Sequence, residues 1–202
     1  MNPDGGLESL IRRRRMTRSF TKRAIEPELL DHMLDVARRA PSAGFSQGVH
    51  FLALSGPATA SFWDVTESGE WFADRHPGLV NAAAIVLALA DPSAYTARYG
   101  EADKAESGLV DAAKWPVPYW LTDAAMATQQ LLLLAEEAGL GALFFGIFRN
   151  EAQLLRHLGV PVGVVSIGAV ALGYRSTEDT PSGSPRSRER MQPASVIHHD
   201  RW

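Results

Sequence analysis

The chain has 202 residues, 46% of them hydrophobic and 21% charged, a globular composition with length for one full core and little more. Its net charge of −3 excludes a protein built as a whole to bind polyanions. Cysteine is absent, which excludes disulfides, thiol nucleophiles and cysteine-ligated zinc or iron–sulfur clusters.

In chain order, Leu7–Arg14 is predicted to be a short helix. Pro27–Ala40 is a clearer one, with Pro27 suited to the first turn and Leu30, Met33, Leu34 and Ala37 on one face. Pro41-Ser42-Ala43-Gly44 ends it, and Val49–Leu54 reads as a strand. Pro57–Glu67 is expected to be helical, and the apolar run Ala82–Ala90, stopped by Asp91-Pro92, to be a buried strand. Ser93–Tyr119 reads as irregular, a length that suits a lid or an interface. Thr122–Ala138 is the strongest helix, with Thr122 as its N-cap and Gly139 as its stop. Gly141–Phe148 is predicted to be a strand. Asn150–Leu158 should be a helix opened by Asn150 and Gln153 as a capping-box variant, and Gly163–Tyr174 the last core strand. The remainder, 175–202, is polar and without periodicity. The expected fold is α+β, a central mixed sheet of four or five strands flanked by helices, in a single domain over 1–202.

Met1–Glu8 has no apolar core of a signal peptide, and the longest apolar runs fall short of a membrane span. The expectation is a cytoplasmic protein without a membrane partner.

Several groups of residues could carry chemistry. Arg12, Arg13, Arg14, Arg15 and Arg18, followed by Lys22 and Arg23, set up a local positive field. They suit a solvated helix end favoured by the helix dipole, or a phosphate cradle of guanidinium forks. A nucleic-acid patch lacks interleaved aromatics, so no nucleic-acid partner is expected. Gly44-Phe45-Ser46-Gln47-Gly48 matches the nucleophile-elbow pattern, but a helix precedes it and a strand follows, the reverse of the required context. A serine hydrolase using Ser46 is therefore the remote alternative. Gly139-Leu140-Gly141 follows a helix and has Phe144 where a dinucleotide fingerprint needs glycine. The six histidines show no metal spacing, and no metal is expected. In the tail, Arg186, Arg188 and Arg190 suggest a basic segment, whereas Val196, Ile197 and the terminal Trp202 argue for packing against something.

Taken together and in order, these segments resemble the nitroreductase family over nearly the whole chain. Arg14-Arg15-Met16-Thr17-Arg18-Ser19-Phe20 is similar to its opening signature, and Ala40–Gln47 to its flavin-contacting loop. Asp123 with the helix after it, Gly139-Leu140-Gly141-Ala142, Leu172-Gly173-Tyr174 and Arg190–His198 resemble its central helix, following strand, last strand and closing segment.

The resemblance implies a homodimer with two FMN sites at the interface and with the 175–202 tail wrapping the partner. It implies ping-pong transfer of electrons from NADH or NADPH through FMN to a small organic acceptor such as a nitroaromatic or quinone. Specialised flavin chemistry and a non-catalytic flavin-binding protein are the alternatives. By resemblance, Arg14 and Arg15 contact the phosphate and ribityl chain, and Arg18 the N1/O2 side of the flavin. Pro41, Ser42 and Ala43 pack along the ring and Gln47 is a polar contact. The main chain of Phe145 and Gly146 meets the N5 side, and Arg188 or Arg190 is a second phosphate clamp. Met16 and Phe45 stand where the family usually has Ser and often Asn, so each removes a polar contact. The chemistry belongs to FMN, and no catalytic side chain is implied. Trp115, Tyr119 and Trp120 suit either an acceptor pocket or aromatic dimer packing.

Overall fold

The computed structural model describes residues 6–181 and 183–202, so the opening of Met1–Glu8 lies outside it, as does the side chain of Arg186. The helices are α1 (Leu7–Arg13), α2 (Pro27–Ala37), α3 (Thr59–Thr66), α4 (Gly69–Arg75), α5 (Pro92–Tyr99), α6 (Tyr119–Glu137), α7 (Glu151–His157) and α8 (Gly183–Ser187). The strands are β1 (Val49–Ser55), β2 (Ala84–Ala90), β3 (Gly141–Phe145) and β4 (Val165–Gly173). They form one sheet in the order β1-β2-β4-β3, with every strand pair antiparallel. The four-stranded sheet is thus antiparallel throughout, and the one parallel pairing among the described residues is an isolated bridge, Met16 to Ala142, on the β3 edge.

Alternation along the strands divides the core in two. Ala84, Val86, Val170 and Leu172 face α2 and α6, and Leu131, Leu132 and Leu140 fill the space between. Burial of each such leucine contributes roughly 1.5–3 kcal/mol. On the other face Ile85, Leu87, Leu89, Ala169 and Ala171 pack with Phe62, Trp63 and Leu154 from α3 and α7. The result is a sheet between two helical layers.

Several boundaries differ from the sequence reading. α6 begins at Tyr119 with Pro118 before it, because the Thr122 hydroxyl donates to the Tyr119 carbonyl at 2.9 Å instead of capping. Asn150 precedes α7 in the left-handed region (φ 51°), and its side-chain amide donates to the Val65 carbonyl, not to an N-terminal turn. β3 stops at Phe145. Ser93–Tyr119 is not irregular throughout: its start belongs to α5, opened by Asp91 accepting from the Ser93 N–H at 2.8 Å. α4 fills a stretch left unassigned. No helix among the described residues is long and apolar enough to cross a membrane.

Candidate functional site

The arginine-rich segment is fastened along the β3 edge. The Thr17 N–H donates to the Ala142 carbonyl at 2.9 Å. Gly141 permits this approach: a Cβ there would lie 2.7 Å from the Thr17 side chain. Buried carboxylates then sort the arginines. Glu136, at the end of α6, pairs with Arg175 and with Arg13, the latter at 3.5 Å. Asp179 pairs with Arg15 and accepts the backbone N–H of Arg18 at 2.7 Å and of Ser19 at 3.0 Å. Arg12 pairs with Glu8 on the surface. Arg14 differs from these: its Nη1 is buried and has no hydrogen-bond partner. A buried donor without an acceptor costs about 1–3 kcal/mol, more when charged, and marks a place for an anion. Arg15 is thus already committed to Asp179.

Arg18 lines a cleft of about 270 Å³ with Arg75, His76 and Asp179. Burial, reinforced by Arg18, lowers the His76 pKa below its usual value. A single turn of α4 joins this cleft to a second of about 220 Å³, where Trp71 and Phe72 face Phe145, Gly146 and Phe148. Arg14, Arg15, Arg18, Phe145 and Gly146 therefore share the β3 side of the molecule. Met16 lies there too, packed between both core layers. Of the two tail arginines, Arg190 lines a cleft with Arg12 and Ile11 of α1, whereas Arg188 only closes a backbone bond to Ser184.

The second group of expected residues lies elsewhere. Pro41–Gln47 sits beside the start of α6, where Asp123 accepts the Ala43 N–H at 2.9 Å and the Tyr95 hydroxyl at 2.8 Å. The Ser42 hydroxyl accepts from the Gln47 N–H at 3.0 Å. Gly44, Phe45 and Gln47 all have positive φ (61°, 59° and 53°). Two non-glycine residues in that region cost of order 1–3 kcal/mol each, and such strain gathers at ligand-holding loops. Phe45 is 74% exposed, so it is not a core residue. The Ser46 hydroxyl donates to the Ala43 carbonyl at 2.6 Å, and no described histidine is bonded to it. Asp123 and Glu136 are thirteen residues apart on one helix, so the loop and the arginine segment held at Glu136 sit about 20 Å apart.

Sequence reasoning named Asp123 only by resemblance, with the central helix, and missed Tyr95, Asp179 and α4 as builders of this region. Asp123 had a signal, a lone carboxylate inside an apolar helix run. Trp115 is buried in a cluster with Tyr95, Tyr99 and Trp120 and donates Nε1–H to the Leu109 carbonyl at 2.8 Å, which makes it packing rather than a pocket wall.

The nitroreductase family model matches residues 11–174. A protein of Archaeoglobus fulgidus carrying the provisional name NADH dehydrogenase/NAD(P)H nitroreductase is 28% identical over 196 residues, 96% of this chain and 97% of its own. A provisional nitroreductase of Desulfovibrio desulfuricans, solved in complex with FMN, superposes with a TM-score of 0.71 at 23% identity, over 100% of this chain and 99% of its own. The nitroreductase CinD of Lactococcus lactis, solved with chloramphenicol, gives 0.75 at 17% identity, over 97% and 100%.

Proposed function

Because the chain belongs to the nitroreductase family, we propose that it is an FMN-dependent oxidoreductase drawing electrons from NADH or NADPH and delivering them to a small organic acceptor. The observation that carries the reading is the buried, unpartnered Nη1 of Arg14, in a segment whose other arginines are largely engaged. A phosphate group is the anion it suits, since a guanidinium holds phosphate oxygens in matched pairs. The relatives named for NAD(P)H nitroreductase activity and the neighbour solved with FMN support the cofactor and donor.

When bound, FMN supplies the hydride and electron chemistry. The chain supplies position and charge. Arg14 holds the phosphate end, with Arg190, which lines a cleft on α1 with Arg12, as the second clamp. Arg15 acts through Asp179, which also ties down the backbone of Arg18 and Ser19. Arg18 places a cation at the pyrimidine edge, favouring negative charge there. The main chain at Phe145 and Gly146 approaches from the β3 side, and the strained loop of Pro41, Ser42, Ala43, Phe45 and Gln47 covers the ring.

The 20 Å between the two groups supports a homodimer. A two-fold axis near the middle of α6 exchanges its ends, bringing the loop of one chain to the arginines of the other. The face of α6 turned from the sheet carries exposed Ala125, Met126 and Gln129 with half-buried Leu133, a surface suited to such a contact. In this reading 1–202 is one domain and its 175–202 tail reaches the partner. Exchanging Arg14 for Ala is expected to weaken FMN binding roughly 10- to 100-fold, measured by fluorescence titration of free FMN; unchanged affinity would remove Arg14 from the site.

A further inference from the structure

The cleft between α4 and the segment after β3 is an aromatic cage with Arg149 in its lining and Arg75 stacked on Trp71 at its mouth. Phe62, Phe72 and Phe145 form its floor and touch edge to face, with centroids 5.6–5.7 Å apart for the two pairs that involve Phe145. Trp71 stands at the mouth, 43% exposed, held edge-on to Phe72 at 4.7 Å and capped on one side by the Arg75 guanidinium at 4.4 Å from its centroid. Phe148 closes the opposite side, leaning over Gly146 where a Cβ would meet its ring at 2.7 Å, yet the residue is 94% exposed. Two aromatic walls left open to water recover hydration free energy when a flat apolar ring enters between them.

Charge decides what that ring carries. Arg149 lines the same cleft and makes no ion pair or side-chain hydrogen bond among the described residues. No acidic side chain lines the cleft. The Ser68 hydroxyl at the rim gives its proton to the Thr66 hydroxyl at 2.6 Å, because Thr66 donates its own to the Phe62 carbonyl, so Arg149 is the charged donor left to a ligand in this lining. A cation without acidic competitors selects an anionic, oxygen-bearing substituent.

We infer that this cleft is a binding site for planar, one-ring aromatic acids, with the ring between Trp71 and Phe148 and the carboxylate toward Arg149. It names the acceptor class of the oxidoreductase and rests on the proposed function for its redox meaning, since Phe145 and Gly146 border both this cleft and the proposed flavin contact. The binding claim itself stands without flavin.

The test compares 4-nitrobenzoate with nitrobenzene. Quenching of tryptophan fluorescence is titrated on flavin-free protein, and KM is measured on the FMN-loaded protein. The acid is expected to be favoured about five-fold, the ceiling for an exposed ion pair, with the preference shrinking as salt is added. Arg149→Ala abolishes the preference and leaves nitrobenzene unchanged, and Arg149→Lys keeps part of it. Trp71→Ala weakens both probes, and Trp71→Phe, which keeps a ring, restores them. Equal binding of both probes by the unaltered protein, or a preference that survives Arg149→Ala, would overturn the inference. So would failure of both probes to bind a dimer in which Trp71 is shielded from soluble quenchers, which would assign the cleft to a second copy of the chain. A protein that takes up no FMN yet shows the Arg149-dependent preference supports this site while contradicting the proposed function.

Discussion

Asp123 holds a carboxylate inside the protein, 2% exposed, with no cation against it. Its oxygens accept from the Ala43 N–H and the Tyr95 hydroxyl, and the Thr122 hydroxyl, whose proton goes to the Tyr119 carbonyl, lies 3.2 Å away. Replacement by Ala leaves the first two without an acceptor, at about 1–3 kcal/mol each. Asp123→Ala is therefore expected to destabilise the protein by roughly 3 kcal/mol in urea unfolding, and adding Tyr95→Phe to recover part of that loss. Burial first, and then Asp123, raises the Tyr95 pKa above its ordinary 10.0. The unfolded chain releases this proton at lower pH than the folded one, so stability falls as pH rises past 10. Tyr95→Phe should flatten that alkaline decline, seen by unfolding at pH 9 to about 11. Asp123 stood out in the sequence, but its partnership with Tyr95 was not legible there, because the two meet only through the fold. The arginines were legible as a group; their division into paired and unpaired members was not, since it depends on Glu136 and Asp179 arriving from distant segments.

At the scale of elements, α6 carries the most. Its Ala and Leu spacing marked it in the sequence, and its core leucines do pack on the sheet. Its first turn was missed because a threonine hydroxyl can turn back onto the helix as readily as cap it. α4 and α5 escaped the sequence reading, although α1, α3 and α7, of the same seven or eight residues, did not. The outer face of α6 was read only through the proposed dimer. Met126, 40% exposed on that face, offers the sharper test. Met126→Glu places two like charges together across a two-fold contact, and is expected to shift the protein toward monomer by light scattering and to weaken FMN binding together with it. A monomer that binds FMN as tightly as the unaltered protein would separate the site from the interface. The tail carries Met191, Val196 and Ile197 exposed, and Trp202, 99% exposed, stacks only on His198 at 4.3 Å. Apolar side chains so placed on one chain fit a segment completed by another.

For the molecule as a whole, the order β1-β2-β4-β3 sets the two candidate groups on opposite sides, the loop before β1 and the arginines along β3. The sequence ordered these segments correctly along the chain but could not show which strands form the edges, because antiparallel partners are chosen by packing of both faces. Gly168, at φ 130° in β4, shows how local that choice is: a Cβ there would lie 2.6 Å from the Phe145 carbonyl, so only glycine lets β3 close on β4 at the end where the candidate site lies. The proposal stands or falls on a redox-competent FMN held by this arrangement. It is tested most directly by the visible spectrum of the purified protein, supplemented with FMN, followed by anaerobic addition of NADH and then NADPH. The expected result is a stoichiometric flavin band that bleaches with at least one donor. A protein that stays colourless and takes up no FMN would contradict the flavin site itself, and a bound flavin that neither donor bleaches would contradict the proposed activity.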